Sequence, residues 1–250
     1  AFCFNCQSLP ANGPVELLSP DGSLKLVLEI DAGQATYQLA ADSVLLVAPS
    51  RLGFEFQNAA ALSDSFEIQS VKKREFQETW QQVWGENRIV VNHFHELHLQ
   101  LGQTSAPDRT LDLVFRLFND GLGFRYIIPE QPGQDSLIIT DEITEFNLAG
   151  NFQAWWQPAN YDSYEMLYQH TPVETIDAVN TPITLETANG YVLSLHEANL
   201  TDYAGMTLKR TKGTTLECDL VPWPDGTKVK TTVPMRSPWR TIQVGRTAAD

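Results

Sequence analysis

Glu197 closes the run Tyr191-Val192-Leu193-Ser194-Leu195-His196-Glu197. Alternation along a strand puts Tyr191, Leu193, Leu195 and Glu197 on one face, and the apolar members turn that face inward. A carboxylate that continues an inward face needs a partner: a cation, an arginine or a backbone N–H. A solvent-exposed carboxylate at a strand end fits the same pattern, so the residues alone leave both open. The hard oxygen donor suits calcium, but calcium takes about 6–8 oxygens, so Glu197 is one ligand and not a site.

His93-x-His95-x-x-His98 has the residue types of a metal cluster. On a strand, His93 and His95 share one face while Glu96 and His98 share the other. Converging all three imidazoles needs a bulge, and the pattern equally suits histidines on half-exposed strand faces. Cys3-x-x-Cys6 has metal or redox spacing, without a βαβ pattern after it. With Cys218 the cysteines number three, an odd count that leaves a disulfide framework incomplete.

Aromatic density peaks over residues 152–168, from Phe152 through Trp155, Trp156, Tyr161 and Tyr164 to Tyr168. Aromatic faces stack on sugar C–H groups, and Asp, Asn and Gln bond hydroxyls. Trp155, Trp156, Tyr161 and Asp162 are therefore candidate carbohydrate-binding residues, with core filling by the large rings as the other reading. Gly-x-Ser-x-Gly, the P-loop, a helix-opening Gly-x-Gly-x-x-Gly and His-Glu-x-x-His are all absent. No catalytic residue is assigned.

The elements that must position these residues are strands. Leu24–Ile30 and Thr36–Ala40 alternate around a turn-rich link and form a hairpin. Ser43–Val47, Leu52–Phe56, Phe66–Phe76 and Arg88–Leu101 follow, with Glu78–Gly85 irregular and aromatic. Thr110–Phe118 and Gly123–Ile128 flank Asn119-Asp120-Gly121, whose residues tolerate the positive φ of a tight hairpin turn. Further strands are predicted at Ser136–Thr140, Ile183–Thr187, Tyr191–His196, Met206–Arg210, Thr214–Leu220, Val229–Val233 and Thr241–Val244. Ser163–Gln169 and Pro172–Ala178 read as short helical turns. Many short strands without alternating helices predict an all-β, two-sheet sandwich or barrel in one domain.

The chain has 250 residues, of which 42% are hydrophobic and 19% charged, enough for a large core without staples. Lys and Arg total 17 against 31 Asp and Glu, a net charge of -14. That balance argues against nucleic acid and anionic membranes, which need a basic face. No run reaches the ~18 apolar residues of a membrane span.

Several short segments, taken in order, resemble the N-terminal domain of glycoside hydrolase family 97. They are Ser19-Pro20-Asp21-Gly22, Pro49-Ser50-Arg51-Leu52-Gly53, Trp84-Gly85-Glu86, Asn92-His93, the stretch 116–126 around Asn119-Asp120-Gly121, His196-Glu197-Ala198, Asp202-Tyr203 and Pro238-Trp239-Arg240-Thr241. The resemblance implies a large antiparallel β-super-sandwich, galactose-mutarotase-like, over residues 15–244. Residues 1–14 would be a flexible tail, and residues 245–250 the start of a linker to a (β/α)8 catalytic barrel that this chain lacks. The family's members are bacterial exo-acting α-glucosidases and α-galactosidases, typically exported, so the resemblance implies a periplasmic or secreted protein. It also implies a calcium ion held mostly by the barrel, with one ligand from the N-terminal domain matching Glu197.

The expected function is thus a non-catalytic module that packs on the barrel, shapes the sugar pocket for α-linked glucosides or galactosides, and donates one calcium ligand. A stand-alone carbohydrate-binding sandwich is the alternative. Mutarotase chemistry does not follow from a similar fold, and its acid–base residues have no match here.

Overall fold

The computed structural model describes residues 13–249. Cys3, Cys6 and nearly all of the expected tail lie outside them. In chain order the strands are β1 (Val15–Leu18), β2 (Leu24–Asp31), β3 (Gln34–Ala41), β4 (Val44–Phe56), β5 (Phe66–Gln81), β6 (Ile89–Gln103), β7 (Ala106–Phe118), β8 (Gly121–Ile128), β9 (Ser136–Leu148) and β10 (Gln153–Trp156). They continue as β11 (Gln169–Pro172), β12 (Ala178–Asn180), β13 (Ile183–Glu186), β14 (Val192–Ala198), β15 (Met206–Lys212), β16 (Thr215–Leu220), β17 (Val229–Thr232), β18 (Met235–Arg236) and β19 (Trp239–Gly245). A single 3-10 turn, Val173–Thr175, is the only helical element among the described residues.

The strands form two antiparallel sheets, neither closed into a barrel. One runs β1-β2-β3-β4-β9-β16-β15-β12, with β17 beside β9. The other runs β11-β10-β13-β14-β19-β8-β7-β6-β5, with β18 beside β8. Alternation explains the packing: β3 buries Ala35, Tyr37, Leu39 and Ala41, and β14 buries Leu193 and Leu195. The sheets meet through aromatic contacts. Tyr37 of β3 lies 5.1 Å from Phe124 of β8, and Phe54 of β4 lies 4.7 Å from Tyr126 of β8. Such tilted and edge contacts suit ring quadrupoles.

Four local readings change. Ser43–Val47 and Leu52–Phe56 are one strand, β4, kinked by a register shift between Ala48 and Leu52. Residues 78–81 are not irregular but extend β5 into a long ribbon with β6. Residues 163–169 form no helical turn, whereas the short helical turn expected within residues 172–178 is present as the 3-10 turn at Val173–Thr175. The expected strand at residues 136–140 runs on to Leu148, because its charged continuation is buried against arginines.

At the Asn119-Asp120-Gly121 hairpin, neither Asn119 nor Asp120 adopts a positive φ. Gly121 itself does, at 159°, and it is also required for space: a Cβ there would lie 2.5 Å from the Ile242 carbonyl oxygen of β19.

Candidate functional site

Strand pairing sets Glu197 of β14 directly opposite Arg240 of β19. Both side chains turn into the sandwich, where Arg240 is fully buried. The Arg240 Nη1 donates to Glu197 Oε2 at 2.7 Å. Its Nε and Nη2 donate to the two oxygens of Glu142, at 2.8 and 2.7 Å. Glu142 arrives from the opposing sheet, on β9. One arginine therefore ties three strands and both sheets together.

Glu142 is saturated. Thr144 Oγ1 donates to its Oε1 and Tyr203 Oη to its Oε2, each at 2.8 Å, which with Arg240 fills all four lone-pair sites. Tyr126 supports Thr144 through a 2.7 Å hydroxyl contact. Burial works to raise the Glu142 pKa, but the Arg240 charge and the surrounding donors outweigh it and hold the carboxyl below its ordinary range. Burial likewise opposes the Arg240 charge, and Glu142 more than restores it. The Tyr203 hydroxyl is pushed well up, first by burial and then by Glu142, so it stays a donor. The Cys218 thiol is buried beside the group and also pushed up by burial, which keeps it a neutral core side chain.

Glu197 is not saturated. Its Oε1 accepts from the Met206 backbone N–H at 2.9 Å and its Oε2 from Arg240. Two of the four lone-pair sites are left. Its side chain is 10% exposed, against 0% for Glu142 and Arg240, so it forms the outward end of the group. Two carboxylates on one guanidinium carry a net charge of −1. The arginine and the backbone N–H are two of the partner types that an inward Glu197 requires. The free lone pairs and excess charge make it chemically fit as one calcium ligand, with the other oxygens to come from elsewhere.

The connection from β14 to β15 closes over this group. Asn199 and Asp202 take positive φ of 58° and 50°, which these two residue types tolerate, and the adjoining Tyr203 donates to Glu142. The same loop borders a cleft of about 530 Å³, lined by Asp202, Tyr203, Gly205, Val221, Trp223 and Lys228. A Cβ on Gly205 would sit 3.8 Å from Glu197 Oε1, so cleft and carboxylate are close neighbours.

The residues beside Arg240 anchor the same corner. Ser237 and Tyr126 exchange bonds: Ser237 N donates to Tyr126 O and Tyr126 N to Ser237 Oγ, both at 3.0 Å. Trp239 faces outward, with the guanidinium groups of Arg116 and Arg125 at 4.6 and 4.5 Å from its ring. Each is a cation–π contact.

The aromatic candidates separate by strand parity. Trp155 is half exposed, stacks on His170 at 4.2 Å and donates from Nε1 to Glu186. Trp156 turns into the core and donates to Thr171 Oγ1, so its faces are not open to a sugar. Tyr161 and Asp162 are exposed on the following loop. Glu142 escaped notice in the sequence because Asp141-Glu142-Ile143-Thr144-Glu145 reads as polar. The even alternation of Glu142, Thr144, Phe146 and Leu148 was the available signal.

The family model described as the glycosyl hydrolase 97 N-terminal domain matches residues 17–250. A family 97 glycoside hydrolase variant of Pseudoalteromonas sp. strain K8, solved in complex with panose, is similar with a TM-score of 0.90 and 35% identity, over 94% of this chain and 36% of that one. Its complex with acarbose gives the same 0.90 and 35%, over the same shares of 94% and 36%. A β-arabinopyranosidase shares the fold at a TM-score of 0.84 and 20% identity, over 93% of this chain and 40% of that one. The chain thus spans little more than a third of the family 97 structures it matches.

Proposed function

The chain belongs to glycoside hydrolase family 97 as its N-terminal domain, and from that premise we propose that it serves a catalytic (β/α)8 barrel of the same polypeptide without cleaving glycosides itself. The observation that carries this reading is the state of the buried carboxylates. Glycoside hydrolysis needs two carboxyl groups about 5–9.5 Å apart, free to exchange protons or attack carbon. Glu142, Glu145 and Glu96 are each engaged by arginines instead. They hold the sandwich together and do not flank a sugar pocket.

Asp112, also buried, pairs with His98. Glu197 differs in its place, with lone pairs to spare at the outward end of the Arg240 group. In this reading it contributes one oxygen to a calcium ion whose other ligands lie on the barrel, and the domain forms one wall of the sugar pocket. Bound calcium would supply positive charge near the reacting sugar. Arg240 and the Met206 N–H hold the Glu197 carboxylate in place, and its remaining lone pairs would serve the ion. The panose and acarbose complexes of the Pseudoalteromonas relative support a glycan ligand for the whole enzyme. For this protein we take α-linked glucosides or galactosides as the substrate class and the periplasm or exterior of a bacterium as the location, which cell fractionation checks.

The test is an assay of the chain alone on aryl α-glucosides and α-galactosides with calcium present. No turnover above a Glu197→Ala control is expected, and turnover above it overturns the reading. Calorimetry should find only weak calcium binding, because one carboxylate cannot replace the ion's hydration shell; micromolar affinity would mean a complete site within this chain.

A second reading, a carbohydrate-binding sandwich, is favoured by one observation: Trp155 lies half exposed and braced flat by His170. Titration with maltose-series oligosaccharides and galactosides separates the two. A saturable signal lost in Trp155→Ala supports binding, and its absence leaves the module reading alone.

A further inference from the structure

We propose that Glu75, His93 and His95 form a binding site for a first-row divalent transition metal ion, zinc foremost, on the face of the β5–β6 ribbon that turns toward β1 of the other sheet. The register sets Glu75 directly opposite His95, and His93 lies two residues from His95 on the same face. One potential ligand atom from each of the three lies within 4.8 Å of the other two. Glu75 is exposed and both histidines are half-buried, so an ion can enter from solvent. No helical spacing or bulge is needed: cross-strand pairing brings the carboxylate to the two imidazoles. His98, on the other face, pairs with Asp112 and takes no part.

The histidine chemistry points to a cation of this class. His95 Nδ1 lies 2.8 Å from the Leu18 carbonyl oxygen, which can only accept. Nδ1 therefore carries the proton, and Nε2 of the neutral ring presents a lone pair. Metal-binding histidines are usually oriented in this way, by donating the other ring N–H to a carbonyl or carboxylate. His93 Nε2 is 2.8 Å from Glu75 Oε1. When an ion takes the place of that bridging proton, the neutral His93 ring carries its proton on Nδ1. Zinc–nitrogen and zinc–carboxylate bonds are about 2.0–2.2 Å, so tetrahedral ligand atoms stand ~3.4 Å apart. The pair must open slightly and the third ligand move inward, a small rotation for side chains at the surface.

Two imidazoles and one carboxylate favour zinc, copper or nickel over the hard cations. They leave a fourth position open to water. The Lys73 ammonium, two residues from Glu75, donates to the Glu16 carbonyl at 2.6 Å. The His95–Leu18 bond also links the ribbon to β1 of the other sheet, so a bound ion would clamp the two edges together. This site is independent of Glu197 and of any barrel.

The test is calorimetric titration of zinc into the full, untagged chain carrying Cys3→Ser and Cys6→Ser, which removes competing thiolates. One ion per chain is expected, with affinity weakened about tenfold or more in each of Glu75→Gln, His93→Gln and His95→Gln. Copper titration followed by electron paramagnetic resonance should show two nitrogen ligands in the parent and one in His93→Gln. Circular dichroism without metal confirms that the variants fold. Should His95→Gln unfold through loss of its Leu18 bond, the other two variants carry the test. No saturable zinc binding, binding unchanged in both His93→Gln and Glu75→Gln, or a copper spectrum without two nitrogens overturns the proposal.

Discussion

Arg240 concentrates more of this structure than any other side chain. It is fully buried, and it donates to two carboxylates from two other strands. A buried ion pair is poor evidence of net stabilisation, because desolvation offsets much of the attraction. Removing one member is different, since it strands the others without a partner. Arg240→Met should cost about 3–5 kcal/mol in urea unfolding; a loss below ~1 kcal/mol would show that Glu142 and Glu197 find other partners. The pH dependence follows from Glu142. Its carboxyl titrates below the ordinary value of 4.5 in the folded chain. The folded state thus binds fewer protons, and the contribution is fully present above the unfolded-state pKa and lost as pH falls through the folded one. Stability should drop below about pH 4.5, and Glu142→Gln should flatten that drop while lowering stability at pH 7. An equally steep acid limb in Glu142→Gln would assign the drop to other carboxylates.

At the scale of elements, apolar alternation was legible and compensated charge was not. The strands around Leu24–Ile30, Tyr191–His196 and Thr214–Leu220 stand where their period-two patterns place them. β9 was cut short at Thr140 because Asp141, Glu142 and Glu145 look solvated. The burial of Glu142 and Glu145 depends on Arg240 and Arg51, which are about a hundred residues away in sequence. No local pattern reports a partner at that distance. The inward direction of Glu197 could be read from its neighbours, but which partner type meets it could not. The metal-ligand cluster fails for the same reason: Glu75 joins His93 and His95 only through strand register. Gly121 makes the point in reverse. It reads as turn chemistry, yet beyond its positive φ it also needs clearance from β19. Gly121→Val should destabilise by about 1–3 kcal/mol or more, as overpacking does, read from thermal unfolding. An unshifted midpoint would mean that β8 and β19 can separate at no cost.

At the scale of the molecule, most of the exposed apolar side chains fall into two groups. Trp80, Val83, Trp84, Ile89 and Val91 crowd the end of the β5–β6 ribbon, with Val83 98% and Trp84 87% exposed. Tyr161, Tyr164, Leu167 and Tyr168 form a second group on the loop after β10. Contiguous exposed apolar surface marks interaction sites in soluble proteins. In the family 97 structures that this chain matches, nearly two thirds of the polypeptide lies outside the matched region, and under the proposed function such a region is the partner of this surface. If the ribbon tip meets that partner, Val83→Ser with Trp84→Ser should leave the unfolding midpoint of the isolated chain within about 0.5 kcal/mol of the parent, since neither side chain loses packing there. In a longer protein with the barrel attached, the same pair should speed proteolytic cleavage between the domains. Equal cleavage rates in variant and parent would move the interface elsewhere, with the loop at residues 161–168 as the next surface to substitute.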